Sequence, residues 1–314
     1  MQLRKHLRLL SWTAADKLLF VGYGGITWLQ IRALSPEEYG LAAQLLTLQA
    51  WIAIVAEGSV LQGIIQYGQD QRERGRANAL ALTLHTVLTL GIAGAIALAR
   101  DLLSSAFNEP RFRSVALLLV LYSAIGIPRS FALKLLQREL RVRDVFLTNA
   151  AWLGTCTVLT VIFLLHGWLV TFEDFALIAC SGMAVGSLVG IVLGRDLIEL
   201  SLGGTLPARS VVGFSLPQAL MMAMATSIRQ LDIFLVQLFF STRAAGIYNA
   251  AKMLYRVFET GADAAMWLLY PTAVQLLHQE RRDALRALIA KALVLQCMIA
   301  IGAVAIAEFG LSLI

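Results

Sequence analysis

Nine stretches of mostly apolar residues follow one another along this chain, separated only by short joins. Each is long enough to span a bilayer, since about 20 such residues cross about 30 Å of hydrocarbon as a helix. Lipid offers no partners for backbone N–H and C=O groups, so each stretch must satisfy its own, which a helix does. The stretches lie near 10–33, 40–66, 78–102, 114–136, 145–168, 173–194, 210–239, 246–270 and 287–312. Breakers mark the joins: Ser35-Pro36, Gly68, Pro110, Gly167 and Gly203-Gly204. The expected fold class is therefore all-α, a polytopic integral membrane protein with about nine transmembrane helices. Composition agrees, at 58% hydrophobic and 15% charged, against roughly 25% charged in soluble domains.

Charge placement gives an orientation. Lys and Arg crowd the N-terminus and the joins after the second, fourth, sixth and eighth stretches, and thin out in the others. The positive-inside rule then puts the N-terminus and the even-numbered joins on the cytoplasmic side. It also accounts for the net charge of +6 without nucleic acid. The segment Arg129 to Arg143, with Lys134, Arg138 and Arg141, reads as a basic amphipathic stretch on the inner surface. Met1 to Arg8 lacks a following cleavage site and reads as the lead-in to the first membrane helix. Cys156, Cys180 and Cys297 lie in apolar runs with no paired spacing, so neither a disulfide framework nor a metal site is expected. His6, His85, His166 and His278 are scattered, and no Asp-x-Asp pair or large loop is present. A glycosyltransferase or acyltransferase reading lacks its acid–base or metal centre, and no cofactor is expected.

Candidate working residues are the charges within spans, where each costs roughly 2.5–3.5 kcal/mol on insertion scales unless it meets a cavity or partner. On the eighth stretch Lys252, Arg256, Glu259 and Asp263 fall on one helical face, continued by Tyr248 and Trp267. Lys252 and Arg256 suit an anionic, diphosphate-bearing cargo, while Glu259 and Asp263 offset those cations or take a coupling ion. Mutual neutralisation of the four against a neighbouring helix is the alternative. Arg229 and Asp232, three apart on the seventh stretch, are able to pair laterally. Asp16 and Gln30 share a face of the first stretch with Tyr23 and Thr27. Glu57 is a lone carboxylate deep in the second, either a proton-titrating group or an ordinary hydrogen-bonded one. Glu37, Glu38 and Arg243 read as solvated outer turns.

An internal echo adds to this. Ser35-Pro36-Glu37-Glu38-Tyr39-Gly40-Leu41 and Ser241-Thr242-Arg243-Ala244-Ala245-Gly246-Ile247 register at an offset of 206, the difference between 241 and 35. Six helices separate them, which matches parallel repeats, a known transporter plan. The expected division is 1–205 as an N-terminal six-helix lobe and 206–314 as a second lobe represented by three helices.

Leu34-Ser35-Pro36-Glu37-Glu38-Tyr39-Gly40 resembles the oligosaccharide flippases of the multidrug/oligosaccharidyl-lipid/polysaccharide exporter superfamily. So do Ile127-Pro128-Arg129-Ser130 through Leu140, Asp232-Ile233 through Ala251, and Tyr270-Pro271 through Leu276. The resemblance covers essentially the whole chain. It implies a two-lobe, six-plus-six flippase fold around a central cavity, here with an incomplete second lobe. It further implies flipping of an undecaprenyl-diphosphate-linked oligosaccharide, with membrane lipids and the polymerase or glycosyltransferases of the same pathway as partners. Extrusion of small molecules or drugs, and a non-transporting place in a polysaccharide assembly complex, are the alternatives.

Overall fold

The computed structural model describes residues 2–201 and 203–253, and, further on, 283–290, 293–294, 297–298 and 301–302, with side chains placed from Ser11 onward. Among the described residues there is no strand. The chain divides into two compact units, Met1–Ile247 and Tyr248–Ile314. In the second unit the described residues are helical, and Asp283 pairs with Arg286 one turn on, at 3.8 Å.

The first unit is built of α1 (Gln2–Ala33), α2 (Pro36–Ser59), α3 (Gln62–Tyr67), α4 (Arg74–Leu98), α5 (Arg100–Ala106), α6 (Phe112–Arg138), α7 (Val142–Leu165), α8 (Phe172–Gly194) and α9 (Ala208–Phe239). Among the described residues six helical segments are long and apolar enough to cross a membrane: Pro36–Tyr67, Arg74–Leu98, Phe112–Arg138, Val142–Leu165, Phe172–Leu197 and Ala208–Phe239. They coincide with the second to seventh expected stretches. α1 has the length but not the apolarity, because Gly22, Tyr23, Gly24, Gly25, Thr27 and Gln30 dilute it. The eighth stretch is helical over 242–253 and the ninth over 283–290, and the remainder of both falls largely outside the described residues.

Local chemistry sets the boundaries. Ser35 Oγ accepts from the Glu38 N–H at 3.3 Å, Pro36 opens α2, and Glu37 and Glu38 sit in its first turn, where the helix dipole favours anions. Thr171 and Asp174 form a reciprocal capping box at the start of α8. α6 runs unbroken through Pro128, and α9 through Pro217.

Helices in lipid gain nothing from hiding apolar surface from one another, so small residues that allow close approach decide which ones pair. On α8, Gly182, Gly186, Gly190 and Gly194 recur every fourth residue. A Cβ on Gly182 would overlap Cys156 Sγ, one on Gly186 would lie 2.8 Å from Trp152 Cβ, and one on Gly190 3.2 Å from Thr148. Thr148, Trp152 and Cys156 recur with the same spacing on α7, so the two helices mesh along their length. α6 also packs on α8, its Arg129 and Ala132 reaching the same glycine stripe, and α1 packs on α7. Leu41, Leu45, Phe112, Val115, Leu119 and Phe172 bring α2, α6 and α8 into one buried apolar cluster.

A polar interior, an outer seam and a clasped linker

Three polar constructions stand on this frame. The first is inside the first unit. Arg129, on α6 just past Pro128, is only 8% exposed. Its guanidinium donates to Asn149 Oδ1 at 2.6 Å and lies 4.1 Å over the Trp152 ring, both on α7. Asn149 Nδ2 in turn donates to Asp16 Oδ1 on α1 at 2.8 Å. The next residue of α6, Ser130, donates to the Glu57 carboxylate on α2. A buried cation is thus set between two carboxylates, one reached through an asparagine and the other carried on a neighbouring helix. Beside it, Gln49, Glu57, His85, Thr89, Ser123 and Ser130 line a chamber of about 10 Å³.

The second is the seam where the two echoed motifs meet. Ser241 Oγ accepts from the Ala244 N–H at 3.1 Å, repeating the Ser35 cap. A Cβ on Gly40 would overlap the Thr242 carbonyl oxygen, and one on Gly246 would overlap the Pro36 carbonyl oxygen. The contact is reciprocal, since Thr242 and Gly246 are the echoes of Pro36 and Gly40. Charges close over it. Glu37 pairs with Arg243 at 3.7 Å, and Thr242 Oγ1 donates to Glu109 at 2.7 Å. Glu38 takes both arms of the Arg111 guanidinium and the Phe172 N–H at 2.7 Å, and Arg111 also reaches Glu173 at 2.8 Å. The carboxylate read from sequence as solvated is the hub joining α2, α6 and α8.

The third holds the segment between α8 and α9. Glu73 accepts from the Thr205 N–H at 2.9 Å, the Leu206 N–H at 3.0 Å and the Thr205 hydroxyl. Ser201 N–H donates to the Gly75 carbonyl at 3.1 Å, Arg76 Nε to the Leu206 carbonyl at 2.6 Å, and Asn78 Nδ2 to the Glu199 carbonyl at 3.0 Å. Gly204 takes φ +127° there, a conformation that side chains resist. These bonds, the Thr205 hydroxyl first, hold the Glu73 carboxyl below its ordinary range. A lowered folded value means that the clasp contributes fully above the usual glutamate range, near 4.3, and is lost as pH falls through the lower folded value. Amide hydrogen exchange at Thr205 and Leu206, corrected for intrinsic rate, should rise on acidification below about pH 4, and Glu73→Gln should raise it already at neutral pH.

The structure distributes the sequence candidates among these surroundings. Asp16 and Gln30 both turn to α7: Gln30 is 1% exposed and donates to Thr160 at 2.8 Å. Glu57 lies in the polar interior with Ser130. Arg229 is exposed and Asp232 half-buried on α9, and Lys252 is half-buried in the helical stretch 242–253. Arg256, Glu259 and Asp263 lie outside the described residues. Sequence reasoning missed Arg129, Asn149 and Trp152 as members of one cluster. Arg129 had been grouped with a basic inner-surface segment, yet it is interior. Arg138 is also buried, donating to Asn78 at 3.0 Å and pairing with Glu139 at 3.0 Å, and Arg141 pairs with Asp196 at 2.9 Å. The available signal was the apolar Phe131, Ala132, Leu133, Leu135 and Leu136 beyond Pro128, which continue the helix and carry Arg129 inward.

The arrangement is that of an all-α, multi-pass membrane protein. A crystal structure of a MATE mutant superposes with a TM-score of 0.60 over 96% of this chain and 71% of that one, at 17% identity. The sequence matches the family described as polysaccharide biosynthesis protein over residues 31–312, and the chain belongs to that family. None of the curated proteins matches it significantly.

Proposed function

We propose that the protein flips an anionic lipid-linked oligosaccharide, of the undecaprenyl-diphosphate class, across the cytoplasmic membrane, with its N-terminus on the cytoplasmic side. The observation that carries this reading is the pair Arg229 and Asp232, exposed and half-exposed on a span-length apolar helix. Charges within a span face a partner, water or a polar cargo rather than bare lipid. A guanidinium there suits phosphate, which it contacts bidentately. Lys252, Arg256, Glu259 and Asp263 are further cargo-contacting residues in this reading, which divides the chain into lobes of 1–205 and 206–314. Family membership supplies the polysaccharide context. Glu57, held by Ser130, is the coupling carboxylate, and glycan polymerase and glycosyltransferases are the working partners.

Reconstituted vesicles carrying a fluorescent undecaprenyl-diphosphate oligosaccharide test this. The protein should make the label accessible from the opposite leaflet, Arg229→Leu should slow that step at least about tenfold, which is 1.4 kcal/mol, and Glu57→Gln should flatten its pH dependence. A rate equal to protein-free vesicles would point to a non-transporting assembly component. Competition by organic cations, with no response to Arg229→Leu, would point to small-molecule export instead.

A further inference from the structure

Between α4 and α9, near the end of α2, an apolar groove of about 400 Å³ opens sideways into the region of the membrane spans. Leu84, Val87, Leu88 and Gly91 form one wall, and Val212, Leu216 and Ala219 the other. Leu216 is 66% exposed along it. Gly91 leaves its part of the wall open, because a Cβ there would meet nothing within 4 Å. Ser215 is the hydroxyl in the lining: 4% exposed, its Oγ finds no hydrogen-bond partner in the protein.

Both walls continue, on the same helical face and toward the same end, to a cation. On α4 the face runs back from Leu84 through Leu80 to Arg76, in steps of four. On α9 it runs from Val212 back three residues to the exposed Arg209. Arg76 already donates to the Leu206 carbonyl, which fixes its guanidinium beside the segment leading into α9. Beyond the lining of the groove, each wall thus carries one guanidinium toward the same end, a pattern complementary to a hydrocarbon chain with a multiply charged phosphate head. Arginine's planar fork makes it the better phosphate ligand of the two common basic side chains.

We infer that this groove seats the isoprenoid tail of the cargo's own carrier lipid, with its diphosphate at Arg76 and Arg209. The inference rests on the flipping reading above and adds to it a place for the part of the cargo that never leaves the hydrocarbon. Arg76 and Arg209 hold the diphosphate at loading, and it then passes with the sugar head to the polar surface at Arg229 while the tail stays between α4 and α9.

The test uses the full chain in phosphatidylcholine nanodiscs and a polyisoprenyl diphosphate bearing a diazirine in its chain. Adducts should fall within 84–95 and 212–219, and unlabelled polyisoprenyl diphosphate should compete them away where equal phosphatidylglycerol does not. Gly91→Phe, whose Cβ enters open space, should cut labelling at least tenfold, and Arg209→Gln should weaken competition severalfold without moving the adducts. Equal competition by phosphatidylglycerol would make the groove a general lipid seat and overturn the proposal. So would labelling indifferent to Gly91→Phe. The two readings fail separately. Protein that is labelled in the groove but does not flip removes the transport reading, and protein that flips without labelling there removes the tail seat.

Discussion

Replacing Gly40 or Gly246 by alanine will open the seam between the two motifs and, on the flipping function proposed above, cut transport by about an order of magnitude. The cause is the absence of any side chain able to yield. At each position the added methyl meets a backbone carbonyl oxygen, Thr242 for Gly40 and Pro36 for Gly246, and the second would also come within 3.0 Å of the Gly40 nitrogen. The two helix starts must separate as rigid bodies. Overpacking of this sort costs about 1–3 kcal/mol. Where the contact exists in one conformational state and not the other, the same range shifts their balance about 5- to 150-fold.

Because both substitutions act on one reciprocal contact, the double variant should cost less than the sum of the singles. The ion pair between Glu37 and Arg243 supplies a direct readout. In a Glu37→Cys, Arg243→Cys background, oxidative cross-linking should be efficient with both glycines present and fall severalfold with either alanine, in step with flipping in vesicles. Alanine variants that cross-link and transport like the parent would show that the seam has no part in the cycle.

The seam also shows what a sequence reader sees and does not see. The register of Ser35 with Ser241 and Gly40 with Gly246 is plain in the sequence, and the caps follow from it. That the two motifs touch is tertiary information, carried by the fold of everything between them. The spans were legible because bilayer thickness imposes a length that few other structures need. The break after Ser59 was not, since Val60 and Leu61 continue the apolar run with no breaker. The four-residue glycine repeat of α8 is visible as spacing, but its partner face on α7 emerges only when Thr148, Trp152 and Cys156 are set against it. Polar residues were the hardest to place. Charge in a loop and charge in a lobe look alike when a proline precedes them, and Asp16, Asn149 and Arg129 lie far apart in the chain.

Arg129 therefore carries the second large effect. Its removal should destabilise the first unit more than any other single side-chain change in the polar interior, by about 3–5 kcal/mol, the usual consequence of deleting one member of a buried charge network. Arg129→Leu keeps bulk but leaves Asn149 Oδ1 without its donor, and Asp16 and Glu57 without a cation between them. The Trp152 face, 4.1 Å away, loses its partner as well. Arg129→Lys should recover only part of this, because an ammonium does not reproduce a planar fork stacked on an indole. The decisive comparison is the double variant Arg129→Leu, Asp16→Asn. With Asp16 neutralised, only Glu57 is left without the cation, and a share of the lost stability should return. Thermal unfolding in detergent, followed across the two single variants and the double, measures that coupling directly. Additive losses would mean that Asp16 and Arg129 do not sense each other through Asn149. The room for the arginine also comes from a glycine: a Cβ on Gly186 would lie 3.2 Å from Arg129 Cδ. The close meshing of α7 with α8 and the burial of this cation are thus one arrangement, and the lobe holds its shape because the glycine stripe lets the guanidinium reach Asn149.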